Sequence, residues 1–263
     1  MEALSATFAD LTGSMTRWRL WTMLAWEDIQ QRYRGSFLGP AWMTIGMAVT
    51  SAGLAFLFGA LFNQPWAETV AYISAGIMIW TFITTSLNEG CFAILAASNI
   101  IRNVNVPLSV HVWRVVLRNV LIMLHSLPVV VLFLILAKTP LTPIMLLAIP
   151  GFLILCIWLW AAVFALGVMA ARFRDIPQLV TYILQFAMFV TPIFWHAAQM
   201  GGRRSHIIAL NPLAHLLGIV RDPLLSIAPP AHTWLAAIAV TLATVGFSLA
   251  VVATCRKQVA LWI

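Results

Sequence analysis

Residues 144–171 read IMLLAIPGFLILCIWLWAAVFALGVMAA, an apolar stretch without a charged side chain. About 20 helical residues cross the ~30 Å hydrocarbon core of a bilayer, so this stretch is long enough to be a transmembrane helix. Hydrophobic residues make up 62% of the 263-residue chain and charged residues only 9%, at a mean hydropathy of +0.95. A soluble domain contains roughly 25% charged residues, so the composition predicts an integral membrane protein.

Similar apolar stretches on both sides predict an all-α protein with about six transmembrane helices. The other five lie at about 37–62, 69–96, 108–137, 176–192 and 233–255. None alternates between apolar and polar residues as the strands of a membrane barrel would. The spans and their short loops use nearly the whole chain, so we expect one transmembrane domain over residues 1–263. Residues 1–37 lack an apolar core followed by a cleavage site, and no removable signal peptide is expected.

Residues 15–34 are too polar to span a membrane. Trp18 and Trp21 fall near one helical face, whereas Asp28 and Arg32 fall elsewhere around the helix. This pattern predicts an amphipathic helix in the plane of the lipid headgroups, with the tryptophans at the interface. An ordinary packing role for Trp21 and Trp26 is the alternative.

Residues 203–228 are predicted to form a re-entrant helical pair between spans five and six. Two apolar pieces, 206–210 and 213–220, are divided by Asn211 and Pro212. Each piece is too short to cross the bilayer, which favours a pair that enters and leaves on one side.

The distribution of the 15 lysines and arginines predicts the orientation. Cytoplasmic loops are enriched in these residues. Most of them fall in segments on one predicted side: Arg17, Arg19, Arg32, Arg34, Arg102, Arg114, Arg118, Arg172, Arg174, Arg256 and Lys257. The other side has Lys138, Arg203, Arg204 and Arg221. We therefore expect both termini in the cytoplasm of a bacterium, in a multi-pass protein of the inner membrane.

The sequence contains no motif for nucleotide or metal chemistry. Neither lysine follows a glycine, so a phosphate-binding GxxxxGK[ST] loop is absent, and ATP would have to bind to another polypeptide. Cys91, Cys156 and Cys255 stand alone in apolar stretches and are interpreted as buried thiols, with no metal site expected. The arginines are scattered at span ends, which argues against a nucleic-acid partner.

Charges near the ends of spans are the first place to look for function. Glu89 near the end of the second span is predicted to pair with Arg114 or Arg118 at the matching depth of the third. Asp175 and Gln178 resemble a capping box at the start of the fifth span. No acidic residue is predicted at the midplane of a span, which leaves little for a proton or sodium relay.

Small and aromatic residues mark the first and fifth spans. Gly39, Gly46 and Gly53 recur every seven residues and predict a small face for close helix contact in lipid. The aromatic residues are explained either as membrane-interface belts or as a passage for sugar rings.

Four segments together resemble the ABC polysaccharide-exporter permeases, which export O-antigen, capsule and teichoic acid precursors. They are RYRGSFLGPAW (32–42), ARFRDIPQ (171–178) leading to VTPIFW (190–195), Asn211-Pro212 followed by Arg221-Asp222-Pro223, and the basic-aromatic end at 256–263. Order, spacing and length agree over nearly the whole chain, and the first two segments are most similar to the O-antigen branch.

This resemblance implies a homodimer in which each six-span subunit docks on a separate ATPase subunit, so that two ATPase copies hold the ATP and Mg²⁺ and this chain is not an enzyme. An undecaprenyl-linked polysaccharide would pass between the two permease copies. By position, the channel would be lined by Tyr33, Phe37, Trp42, Phe56, Phe186, Phe189 and Phe194.

The resemblance also assigns two further elements. The link 98–106 would contact the ATPase and couple it to transport through Ser98, Asn99, Arg102, Asn103 and Asn105. The N-terminal helix would be a second contact. The re-entrant pair would be an outer gate that includes Asn211, Pro212 and Arg221.

Other functions remain as alternatives. A capsular or other envelope polysaccharide could replace O-antigen, because the sequence does not identify the polymer, its reducing-end cap or its lipid. An ion-coupled small-solute transporter would require polar midplane residues and an internal repeat. A membrane glycosyltransferase or acyltransferase would require clustered catalytic groups, and Glu27–Asp28 is the only adjacent acidic pair.

Overall fold

The computed structural model describes residues 2–39, 41–104, 106–195 and 209–263, and all regular structure in them is helical. This confirms the all-α prediction. We number the helices α1 (Glu2–Thr16), α2 (Trp18–Tyr33), α3 (Ala41–Phe62), α4 (Trp66–Gly90), α5 (Ser98–Asn103), α6 (Leu108–Leu136), α7 (Ala148–Arg172), α8 (Ile176–Val190), α9 (Pro212–Leu224) and α10 (Ala231–Trp262).

Five described segments are long and apolar enough to cross a membrane: α3, α4, α6, α7 together with the 3₁₀ turn before it, and α10. The predicted fifth span is the apolar helix α8, which has only 15 residues. At 1.5 Å per residue it is about 22 Å long, shorter than the hydrocarbon core. It stops before Thr191 and Pro192, where the chain becomes extended.

Two span ends and one helix differ from the prediction. The second span ends at Gly90 instead of residue 96, although Cys91, Ile94 and Ala97 remain buried, so hydropathy alone could not locate its end. Helix α10 continues to Trp262 instead of ending at 255, since no proline or glycine interrupts it. Helix α1 was not predicted.

Two local predictions at helix starts are wrong. Asp175 is the N-cap residue of α8, but its side chain makes no capping hydrogen bond. Gly39 has a φ of +51° and lies before α3, so it is part of a turn and not of a helical small face. A Cβ added at Gly46 or Gly53 would meet nothing within 4 Å, so these two glycines face open space on this protomer.

Helix α4 is the centre of the bundle. In the most apolar 18-residue stretch of α4, 78% of the residues are buried. The corresponding share is 17% in α3 and 22% in α10. Small residues allow a close approach to α7: the backbone oxygen of Gly90 would lie 3.1 Å from a Cβ added at Gly167 on α7. In lipid, where apolar burial gains little between helices, such close packing stabilises helix association.

Gly151 fixes the position of α9 against α7. A Cβ added at Gly151 would lie 2.2 Å from the carbonyl oxygen of Ile219, a distance that no real side chain tolerates. Replacing Gly151 with alanine is therefore expected to lower the free energy of unfolding by about 2 kcal/mol. The matched control is Gly246→Ala on α10, which meets no neighbour and is expected to be neutral or stabilising. Thermal unfolding in detergent checks this, and equal melting temperatures for the two variants would contradict the packing described.

Candidate functional site

Helix α2 lies against α6 through one face. Trp21 stacks on Trp113 of α6 with ring centroids 5.5 Å apart, and Ala25 and Ile29 are buried. Trp21 is therefore a packing residue, as the alternative interpretation held, whereas Trp26 is exposed and the same interpretation is wrong for it. Trp18 is 54% exposed, which leaves its ring accessible to the lipid headgroup region, where the sequence predicts it to lie.

The same face of α2 brings Asp28 to two arginines of α6. Arg114 donates to Asp28 through Nε at 2.8 Å and through Nη2 at 2.5 Å, and Arg118 donates through Nη1 at 2.5 Å. The spacing of Trp21, Ala25 and Asp28 explains this arrangement, since residues three and four apart share a helical face. The predicted placement of Asp28 away from the packed face is wrong.

Glu89 links this contact to α4. Its carboxylate accepts from Arg118 Nη2 at 2.8 Å and from Asn119 Nδ2 at 2.9 Å, and it also pairs with Arg32. The predicted pairing of Glu89 with the third span is confirmed for Arg118, whereas Arg114 pairs with Asp28. We call the five residues the arginine cluster: Asp28, Arg32, Glu89, Arg114 and Arg118.

Asp28 stays ionised in this cluster. Burial by itself raises the pKa of a carboxyl group, but the hydrogen bonds and positive charges of Arg114 and Arg118 outweigh burial and hold the pKa of Asp28 below its ordinary value. The cluster is therefore a charged junction of α2, α4 and α6 at neutral pH.

A cavity of about 230 Å³ adjoins the cluster. Its polar lining consists of Arg32, Glu89, His111, Arg114 and Arg118. His111 is 1% exposed, and neither of its ring nitrogens has a hydrogen-bond partner in the described part of the chain.

A second polar junction joins both ends of the chain to the start of α6. The buried carboxylate of Asp10 on α1 accepts from the backbone amides of Leu108 at 2.9 Å and Ser109 at 3.0 Å. It also lies 3.3 Å from Nη2 of Arg256 on α10. Asp10 thus acts as an N-cap for α6 from another helix, satisfying amides that lack intrahelical partners. We call this junction the Asp10 cap.

The basic segments meet at one end of the bundle. The Asp10 cap joins α1, α6 and the end of α10, and Arg172 at the end of α7 lies 5.2 Å from the ring of Trp262. Segments assigned to one side by the distribution of arginines are therefore neighbours in space.

The link between the second and third spans contains the short helix α5. Asn99, Arg102 and Asn103 are exposed, and Ser98 is half-buried. Asn105 lies outside the described residues. The exposed face of α5 is accessible to a partner protein, and α5 stands directly before the Asp10 cap.

The aromatic residues assigned to a channel lie mostly on the outside of the protomer. Phe37 is 98% exposed, and Phe56, Phe186 and Phe189 are each at least 70% exposed. Trp42 is also exposed, whereas Tyr33 is half-buried and donates to the sulfur of Met43.

Phe194 connects the two helices that display these aromatics. Its ring stacks on Phe58 of α3 at 5.8 Å, so the end of α3 meets the segment that follows α8. One protomer brings α3 and α8 together at this point but leaves their aromatic faces uncovered.

The residues assigned to an outer gate occupy defined positions. Asn211 caps α9 by accepting from the amide of Leu213 at 3.0 Å, and it donates to Thr191 at 2.9 Å. Pro212 occupies the first helical position, where a missing N–H costs nothing. Helix α9 has 13 residues, too few to cross the bilayer, and residues 203–208 of the predicted pair lie outside the described residues.

Arg221 on α9 is buried, and its guanidinium group contacts three other residues. It donates to the carbonyl of Pro192 at 2.5 Å, pairs with Asp222 at 2.8 Å and lies 4.2 Å from the centre of the Tyr72 ring. These contacts hold α4, α9 and the segment after α8 together.

No group of three His, Cys, Asp or Glu that could hold a metal occurs within the described residues, and Cys91, Cys156 and Cys255 are free thiols. Asp10 and Asp28 are the important residues that the sequence interpretation missed. The spacing of Asp28 from Trp21 could have indicated its role, but nothing in the sequence indicated the cap formed by Asp10.

Several apolar helices long enough to cross a bilayer indicate a multi-pass membrane protein, and partly buried ion pairs join these helices at one end. Residues 19–225 match the family of ABC-2 type transporters. The chain therefore belongs to the ABC-2 type transporter family, whose members are membrane subunits served by an ABC ATPase.

Several curated proteins are similar to this chain. The O-antigen export system permease protein RfbA of Myxococcus xanthus is 27% identical over 197 residues, which cover 74% of this chain and 75% of the relative. The protein of the same name from Klebsiella pneumoniae is 24% identical over 211 residues, covering 74% of this chain and 76% of the relative.

Proposed function

We propose that this chain is the membrane subunit of an ATP-driven exporter that moves lipid-linked polysaccharide, first of all O-antigen, across the bacterial inner membrane. The observation that supports this most strongly is the similarity to O-antigen export permeases over three-quarters of both chains. A capsular or other envelope polysaccharide is the second candidate, since the same fold would serve either polymer. ATP would be hydrolysed by a separate subunit, with the termini of this chain in the cytoplasm.

The exposed aromatic faces of α3 and α8 support a homodimer. A single protomer leaves Phe56, Phe186 and Phe189 uncovered, and a second copy would enclose them with its own. A channel formed between two such faces would present flat rings to the apolar faces of sugars and would bind ions weakly. Gly53, with open space around it, allows close approach on α3.

Removing the rings of α8 tests the channel. The double change Phe186→Ala and Phe189→Ala is expected to reduce export at least about tenfold, while the melting temperature stays unchanged because both rings are exposed. Leu235→Ala on α10 is the control, since Leu235 is 68% exposed and lies on another helix. Surface polysaccharide at the wild-type level in the α8 variant would contradict a channel along α8.

The link 98–106 is proposed to couple the ATPase to transport. Replacing Arg102 with glutamate reverses an exposed charge on α5 and is expected to weaken copurification of the ATPase or to abolish stimulated ATP hydrolysis, without loss of folding. Lys138→Glu, at an exposed position on the opposite predicted side of the membrane, is the control for a general charge effect. Normal export by a chain with a scrambled 98–106 link would refute this role.

Deletion of the gene tests the function itself. The expected result is loss of long-chain lipopolysaccharide, with undecaprenyl-linked polymer accumulating inside the cell and export restored by the gene on a plasmid. Loss of capsule with intact lipopolysaccharide would favour the second candidate. Unchanged envelope glycans would refute polysaccharide export and leave membership of the family unaffected.

A further inference from the structure

The cavity beside the arginine cluster contains buried polar atoms without partners. Both ring nitrogens of His111 and the Nε of Arg118 are buried, and none has a hydrogen-bond partner among the described residues. A buried polar group without a partner costs about 1–3 kcal/mol, and such groups are rare in folded proteins. Two of them in the lining of one cavity indicate that a polar ligand completes the site.

The charges of the lining favour an anion. Three guanidinium groups and one carboxylate, Glu89, line the cavity. The three guanidinium groups already pair with Asp28 or Glu89, so the arginine cluster keeps an excess of one positive charge, and Glu27 adds a negative charge at the exposed surface of α2. Guanidinium groups bind phosphate through paired N–H donors, and a neutral imidazole contributes one further donor.

A second cavity lies further along α6, towards the C-terminal end of this helix. It measures about 300 Å³ and is lined mainly by apolar side chains of α3, α4 and α6, among them Met47, Met78 and Met123. Asn119 lines this cavity and donates to Glu89, which lines the first. The α6 residues that line the first cavity precede those that line the second. At a rise of 1.5 Å per residue, these two sets of residues place the cavities about 12 Å apart along α6. A charged cavity followed by an apolar one suits an amphiphile.

We infer that the His111–Arg118 cavity binds the phosphate group of an anionic lipid, whose chain extends along α6 into the methionine-lined cavity. Two lipids could supply this chemistry, the polyprenyl phosphate carrier of the polymer and a phospholipid of the surrounding bilayer. Assignment to the carrier rests on the proposed function, whereas binding of a lipid phosphate does not.

The test measures lipid retained by the purified full-length chain. Nanodiscs of phosphatidylcholine are doped with undecaprenyl phosphate in one arm and with dioleoylphosphatidylglycerol in the other, and bound lipid is counted by native mass spectrometry. His111→Phe removes the imidazole at similar size and is expected to lower retention about tenfold or more, the effect of losing a hydrogen bond to a charged group. His125→Phe, at an exposed position of the same helix, is the control.

Thermal unfolding separates binding from folding. Because the His111 nitrogens have no partner in the described chain, His111→Phe is expected to keep or raise the melting temperature of the lipid-free protein. Arg32→Gln, at the exposed rim of the cavity, is a second variant and is expected to weaken retention several-fold.

The outcomes distinguish the two proposals. Retention of undecaprenyl phosphate alone assigns the site to the carrier, and equal retention of both lipids assigns it to anionic lipids in general. Equal retention by wild type and by both cavity variants would overturn the inference. The assay needs neither ATP nor polymer, so its failure would leave the export proposal intact, and failure of export would not remove binding that depends on His111.

Discussion

Replacing Asp28 with asparagine is expected to lower the free energy of unfolding by about 3 kcal/mol. The change removes the carboxylate that lies between Arg114 and Arg118, and their guanidinium groups then repel each other at a junction where the Asp28 side chain is only 11% exposed. Breaking a buried ion pair from one side costs about 3–5 kcal/mol. We expect a loss near the lower end of this range, because the side chains of Arg114 and Arg118 are still 26% and 15% exposed to solvent.

The neighbouring acid provides a matched control for Asp28. Glu27 carries the same charge, but its side chain is exposed, and Glu27→Gln is expected to change stability by no more than about 0.5 kcal/mol. Denaturant unfolding in detergent at pH 7 measures both variants. Equal stabilities would show that Asp28 does not hold the junction.

The pH dependence of this contribution follows from the lowered pKa of Asp28. A carboxyl group with a lower pKa in the folded than in the unfolded state stabilises the fold at pH values above the unfolded pKa, about 4. That stabilisation decreases as the pH falls through the folded pKa. The difference between wild type and Asp28→Asn is therefore expected to be constant from pH 5 to 8 and to shrink only below about pH 4.

Replacing Asp10 with alanine is expected to cost about 2–4 kcal/mol. Asp10 accepts from two backbone amides at the start of α6 and from the hydroxyl of Ser109 at 2.5 Å, and its carboxylate faces Arg256. Its loss leaves buried amides without partners, at about 1–3 kcal/mol for each unsatisfied group. It also frees α1 from the link that precedes α6, so ATPase coupling is expected to fall with stability.

Asp175 is the control for the Asp10 cap. It also occupies an N-cap position, but its exposed side chain makes no capping hydrogen bond, so Asp175→Ala is expected to be near neutral. Asp10→Asn retains one accepting oxygen and should lie between wild type and Asp10→Ala. The cap would be refuted if Asp10→Ala and Asp175→Ala unfolded at the same denaturant concentration.

Much of the fold could be predicted because lipid imposes a strong constraint on sequence. A spanning helix must be apolar for about 20 residues, and this requirement locates α3, α4, α6, α7 and α10. The pairing of Glu89 with Arg118 could be predicted because both charges lie near span ends of equal depth. Charged side chains at this depth in the membrane need partners of opposite charge, and only a few residues at the same depth could serve as such partners.

The remaining features depend on contacts that the sequence does not encode locally. Asp10 caps a helix that begins 98 residues later in the chain, and no local pattern indicates such a partner. The second span ends at Gly90, where an added Cβ would lie 2.7 Å from the side chain of Val163, while the apolar sequence continues. The roles proposed for Phe186 and Phe189 would depend on a second copy of the chain, which a single sequence does not place.

Transport by membrane vesicles tests the central proposal most directly. Inverted inner-membrane vesicles that contain this chain and its ATPase are supplied with lipid-linked polysaccharide and then treated with an external glycosidase. The proposal predicts that ATP makes the polymer resistant to the enzyme, and that this protection disappears when the chain is omitted or ATP is replaced by a non-hydrolysable analogue. Polymer that remains equally accessible with and without the chain would contradict polysaccharide export.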